Sequence, residues 1–66
     1  MKFIKISEDK TEYFINLENI NSATYYHPND KHVEEICIEF IGDEKPTIFD
    51  GELAKSIRFN LEIRVI

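Results

Sequence analysis

Residues 33–62 read VEEICIEFIGDEKPTIFDGELAKSIRFNLE, and this stretch decides the fold. Apolar side chains alternate through residues 35–41, which form the strongest strand pattern in the chain. Residues 42–45 contain the Gly-Asp pair of a tight turn, and residues 47–49 predict a short strand that returns beside the first. The Asp50-Gly51 pair then leads into residues with helical spacing. The stretch therefore predicts a strand, a turn, a second strand and a helix, in that order.

The C-terminal segment fits two interpretations. A helix from Gly51 would direct one apolar stripe toward the sheet, formed by Leu53, Ala54, Ile57, Leu61 and Val65. Residues 58–66 also alternate apolar and polar side chains, as an edge strand would. We predict a helix to about Glu62, with a tail that either extends it or adds an edge strand.

The chain before this stretch predicts further sheet. Residues 3–7 and 12–17 alternate in the manner of a hairpin, joined by a polar turn without glycine. Asparagines interrupt the alternation at residues 17–21, which predicts a corner or a short 3₁₀ turn. A third strand is predicted over residues 22–26, and the residues 27–32 form the clearest loop because proline, asparagine and aspartate follow one another there.

The apolar composition favours sheet over a helical bundle. Isoleucine occurs eleven times, against three leucines and two alanines. β-branched side chains suit a pleated, half-buried surface, whereas a bundle would be rich in leucine and alanine. We therefore predict an α+β fold, a small twisted antiparallel sheet of four to five strands with one C-terminal helix. Residues 1–66 fit one domain.

Charge and cysteine content restrict the partners and the compartment. The formal net charge is −5, and eight acidic residues but only two lysines lie between Asp30 and Glu52. Phosphate contacts need lysine and arginine, so we expect neither direct nucleic-acid binding nor docking on an anionic membrane. No apolar run approaches the roughly 20 residues that cross a bilayer. Cys37 is the only cysteine, and without a signal-peptide pattern it favours a reducing, cytoplasmic location.

The chemistry-bearing residues form no recognisable catalytic or metal-binding motif. His27, Asp30 and His32 could supply zinc ligands, but their spacing matches no standard site and a solvated loop is the favoured interpretation. Cys37 lies between isoleucines, without the neighbouring cation that activates a thiolate. We therefore predict no enzymatic activity, no metal and no cofactor.

Two surfaces are candidates for function. The first is apolar and comprises Phe59, Ile63, Val65 and Ile66: on a helix Phe59, Ile63 and Ile66 would form a second stripe, and on an edge strand Phe59, Ile63 and Val65 would line one side. We predict that a second copy covers this surface, which gives a homodimer or a higher even oligomer. If the tail instead folds back over the sheet, the chain stays a monomer. The second is a solvated acidic face formed by Asp30, Glu34, Glu35, Glu39, Asp43 and Glu44.

Two short patterns carry a family resemblance. The first reads Ile15-Asn16-Leu17-Glu18-Asn19-Ile20 and resembles a corner of small bacterial and phage-type β-rich proteins. The second, residues 49–57, resembles the strand-to-helix junction that closes such proteins, including FlbD-like proteins and the sheet of LytTR-type domains. The resemblance implies the fold. The basic DNA-contacting residues of a LytTR-type domain have no counterpart in the acidic middle of this chain.

Three functions fit the sequence. The leading hypothesis is a small cytosolic, non-catalytic interaction or regulatory protein that acts through a protein partner or its own dimer. The alternative is an acidic mimic of nucleic acid, from a phage or a mobile element, that inhibits a nucleic-acid-binding enzyme. The third is an enzyme whose active site forms only between subunits.

Overall fold

Five strands and one helix confirm the predicted α+β fold class. The computed structural model describes the backbone of residues 2–65 and the side chains of residues 2–63. In chain order the elements are β1 (Phe3–Glu8), β2 (Thr11–Asn16), a 3₁₀ turn (Leu17–Asn19), β3 (Ile20–Tyr26), β4 (Glu35–Phe40), β5 (Thr47–Asp50) and α1 (Gly51–Val65).

The strands divide into two antiparallel sheets rather than one. β1 and β2 form the predicted hairpin, in register from Phe3 opposite Asn16 to Glu8 opposite Thr11. β3, β4 and β5 form a separate three-stranded sheet with β4 in the centre. The break comes at the predicted 3₁₀ turn, where the Asn16 side chain accepts a hydrogen bond from the Glu18 amide at 3.0 Å. After this turn β3 pairs with β4 and not with β2.

The core lies between the hairpin, the three-stranded sheet and the helix. Among the described side chains, eight apolar ones are buried there: Ile4, Ile6, Ile15, Ile36, Ile38, Leu53, Ala54 and Ile57. The helix packs chiefly against β1, β4 and β5. The predicted helical stripe is therefore confirmed at Leu53, Ala54 and Ile57, with Leu61 half-buried at its end.

The C-terminal segment is helical, and the strand interpretation of residues 58–66 is wrong within the described range. α1 continues to Val65, so the tail extends the helix. Arg58 Nε donates a hydrogen bond to Glu62 Oε1 at 2.8 Å, and the Asn60 side chain donates through Nδ2 to the Ser56 backbone carbonyl at 2.8 Å. Both contacts span four residues, the spacing at which side chains meet on one helical face.

Candidate interaction surface

Phe59 and Ile63 form an exposed apolar pair on α1. Each retains 62% of its accessible surface, whereas Ile57 on the same helix is fully buried. Their spacing of four residues places them one turn apart on one face of the helix. The sequence grouped them with Val65 and Ile66, of which the Val65 side chain and Ile66 lie outside the described residues.

A groove of about 460 Å³ lies between β3 and the C-terminal half of α1. The groove exists because α1 covers mainly β1, β4 and β5, which leaves the inner face of β3 partly uncovered. Ala23 lies on this face, opposite Ile38 of β4. It is exposed, whereas Tyr25, which shares the face by strand alternation, is half-buried. The other apolar lining residues are Leu17, Ile20, Ile36 and Leu61.

A bridge of three side chains joins β3 to α1 at the edge of the groove. The Arg58 guanidinium lies over the Tyr25 ring, 4.5 Å from its centroid, and Arg58 also donates to Glu62. The hydrogen bond to Glu62 raises the pKa of Arg58, so this side chain stays charged. On the far side of the bridge, a smaller cleft of about 220 Å³ is lined by the bridge residues together with Lys55 and Phe59. The groove and the exposed Phe59 therefore adjoin one another.

Glu34 does not belong to the acidic surface predicted from the sequence. Only 7% of it is exposed, its carboxylate lies 3.5 Å from Lys55 Nζ, and its carbonyl accepts the Gly51 N–H at 2.9 Å. Burial next to α1 is tolerated because Lys55 supplies the opposite charge. The glutamate therefore ties the segment before β4 to the start of the helix.

The other five acidic candidates lie in different parts of the molecule. Asp30 is in the β3–β4 loop, Glu39 is on β4, and Asp43 and Glu44 are in the β4–β5 turn, all four of them exposed. Glu35 on β4 is half-buried. Glu39 accepts a hydrogen bond from the Ser22 hydroxyl at 3.1 Å, so it is engaged within the sheet.

Lys55 lies between two acidic side chains near the start of the helix. It lies 3.3 Å from Glu52 and 3.5 Å from Glu34; its hydrogen bond to Glu52 and the charge of Glu34 raise its pKa above the ordinary 10.5. A raised lysine pKa contributes stability that is present below the unfolded-state pKa and is lost as the pH rises through the folded-state pKa.

We therefore expect Lys55→Arg to be more resistant than the wild type to loss of stability above about pH 10.5, because arginine stays charged there. Chemical denaturation at intervals between about pH 9 and 12 measures this difference. Lys10→Arg, in the β1–β2 turn, is the matched control. An alkaline transition identical in wild type and Lys55→Arg would contradict the assignment.

The histidine loop is organised by its own hydrogen bonds. Asn29 Oδ1 accepts from the amides of Lys31 at 2.7 Å and His32 at 3.1 Å. The His32 ring donates through Nδ1 to the Val33 carbonyl at 2.9 Å, so Nε2 accepts from the Asn29 side chain, also at 2.9 Å. His27 instead packs edge-on against Tyr25. Within residues 2–65, no three histidine, cysteine or acidic side chains are grouped as metal ligands would be.

Neither the groove nor the bridge from Arg58 to Tyr25 follows from the sequence pattern alone. The sequence pattern predicts a strand over residues 22–26 and a helix from Gly51, but it does not show that these two elements lie side by side. One local signal was present, because β3 (INSATYY) is the only one of the five strands without a charged residue.

Comparison of the chain with protein-family models, curated proteins and solved structures gives no match. The resemblance to FlbD-like and LytTR-type proteins therefore stays a prediction. Among residues 2–65, α1 included, no helix is long and apolar enough to span a bilayer.

Proposed function

We propose that this chain is a non-catalytic interaction protein that acts as a homodimer, with Phe59 and Ile63 of α1 in the interface. The observation that carries the proposal is the exposure of both side chains, 62% each, on one face of the helix. Large apolar side chains that adjoin one another on a surface mark interaction sites more often than isolated ones do.

A two-fold dimer would use this face twice, once from each chain. In an isologous dimer each residue contributes twice, so the pair supplies four large apolar side chains to one interface. Full burial of such a side chain is worth about 1.5–3 kcal/mol, which must offset the loss of translational and rotational freedom on association. A domain of 66 residues has a small core, and oligomerisation is a common source of additional stability at this size.

The ionisable groups around the groove support a binding role over a catalytic one. Among the described residues, Arg58 and Glu62 are the charged ones that line the groove, and they bind each other. A general acid or base needs a free group within reach of a substrate, and this arrangement offers no such group. The acidic mimic is the weaker candidate, because Glu34 is buried and the remaining acids are dispersed.

Sedimentation equilibrium at micromolar concentration tests the proposal. We expect a dimer mass for the wild type and a monomer mass for Phe59→Asp/Ile63→Asp, whose dissociation constant should rise by at least about 100-fold. The matched control is Ile48→Asp. Ile48 is similarly exposed, at 57%, but it lies on β5, at the edge of the three-stranded sheet opposite β3. Circular dichroism confirms that each variant folds.

The salt dependence of the dimer tests whether its interface is apolar. An apolar interface should persist in 1 M salt, where charges are screened within about 3 Å. A wild-type monomer at micromolar concentration, or a double variant that remains dimeric, would contradict the proposed dimer. Dissociation of the wild type by salt alone would contradict the apolar interface.

A further inference from the structure

The outer edge of β3 is available for pairing. Within residues 2–65, β3 hydrogen bonds to β4 alone, and its seven residues include no charge. The other outer strands carry features that discourage pairing: β1 contains Lys5, β2 contains Glu12, and β5 has four residues and follows Pro46. Natural sheets protect their edges with charges, prolines and short strands, so the unprotected edge of β3 indicates a pairing surface.

The groove beside β3 provides room for the side chains of an added strand. Ala23 is exposed on the inner face of β3, next to the open groove. Tyr25 lines both the groove and the cleft that contains Phe59, so the strand edge is continuous with the proposed dimer surface.

We infer that β3 pairs antiparallel with β3 of a second copy, about a two-fold axis at Thr24, and joins the two sheets into one of six strands. This inference rests on the proposed homodimer and specifies its geometry. A second copy is the favoured occupant because the β3 edge is continuous with the proposed dimer surface through Tyr25. The net charge of −5 opposes association of two copies, but the uncharged strand keeps like charges out of direct contact across the pair.

The register follows from the sequence of β3. A bulge between Ile20 and Ser22 leaves residues 22–26 as the regular part of the strand, and Thr24 is its centre. Pairing about Thr24 sets Ala23 opposite the partner's Tyr25 on the inner face and Ser22 opposite the partner's Tyr26 on the outer face. Each tyrosine therefore meets a small residue, and the partner's Tyr25 lies over the open side of the groove. A centre at Tyr25 would instead set the two Tyr25 side chains against each other.

Disulfide trapping tests this register with a control on the same strand. Thr24→Cys is made together with Cys37→Ser, because Cys37 lies opposite Thr24 on β4 and would compete for the new thiol. Directly opposed residues of an antiparallel pair have Cα atoms about 4.5–5.5 Å apart, within disulfide range. Two Ser22 residues would be about 14 Å apart in this register, beyond that range. Ser22→Cys with Cys37→Ser is therefore the matched control.

Under mild oxidation of the full chain at a concentration where it is dimeric, we expect Thr24→Cys/Cys37→Ser to give about tenfold more covalent dimer than the Ser22→Cys control. A sedimentation dimer with no Thr24→Cys cross-link, or with equal cross-linking at both positions, overturns the strand pairing and leaves the proposed homodimer standing. A monomer mass overturns both, and leaves the β3 edge for an extended segment of another protein.

Hydrogen exchange of the wild-type chain provides a second measurement that needs no substitution. Backbone amides of residues 22–26 that point away from β4 should exchange more slowly as the chain concentration rises through the dimer dissociation constant. Exchange of these amides that is independent of concentration, in a chain shown to be dimeric, overturns the strand pairing.

Discussion

Ile57→Ala is expected to lower the free energy of unfolding by about 2–5 kcal/mol, because it removes a fully buried side chain and leaves a cavity. The side chain projects from α1 into the core that the hairpin and the three-stranded sheet share. Domains have roughly 0.05–0.15 kcal/mol of stability per residue, so the loss is a large fraction of the total for 66 residues.

Urea denaturation at one fixed protein concentration measures the change, since the stability of a dimer depends on concentration. Ile41→Ala is the matched control: the same atoms are removed from an exposed side chain, and the backbone hydrogen bond from the Ile41 amide to Asn19 is kept. The control should change stability by less than about 0.5 kcal/mol. An equally small loss for Ile57→Ala would contradict the packing of α1 on the sheets.

Alternation along the chain was enough to locate the strands and their faces. On β4, Ile36 and Ile38 are buried on one face. Glu39, which points to the opposite face, is exposed, as period-two alternation requires. The same pattern does not say which strand pairs with which. The separation of β2 from β3 depends on the Asn16 cap of the 3₁₀ turn, a local geometry that periodicity does not encode.

The helix and strand interpretations of residues 58–66 could not be separated by periodicity. Phe59 and Ile63 satisfy both, since four residues are about one helical turn and also two strand repeats. In the helix, Arg58 lies over the ring of Tyr25 on β3, 4.5 Å from its centroid. A tertiary contact with β3 therefore accompanies the helical conformation of this segment, which the local sequence alone does not determine.

The burial of Glu34 shows why the acidic surface was only partly predictable. In sequence Glu34 and Glu35 are adjacent acids before a strand, and nothing local distinguishes them. Glu34 turns inward because Lys55, far along the chain, meets its carboxylate. The groove escaped prediction for the same reason, since it depends on the direction in which α1 crosses the sheet.

That direction is set at the junction between β5 and α1. Gly51 has a φ of +63°, in the left-handed region that residues with a side chain seldom adopt. Its N–H donates to the Glu34 carbonyl at 2.9 Å, which fixes the first turn of the helix against the segment before β4. The backbone conformation of Gly51 therefore contributes to the orientation of α1, and so to the position of Phe59.

Gly51→Ala is expected to lower the free energy of unfolding by about 1–2 kcal/mol, although alanine favours helices elsewhere. A Cβ at this position would meet no atom within 4 Å, so the cost comes from the backbone conformation alone. Gly51→Asn should cost less than Gly51→Ala because asparagine tolerates positive φ, and Gly51→Val should cost more because its side chain is β-branched. Thermal and urea unfolding of the three variants measure this order, and all three should keep the wild-type far-ultraviolet circular dichroism spectrum. Equal losses for asparagine and alanine, or a stabilising alanine, would contradict the positive φ at Gly51 and the direction that it gives to the helix.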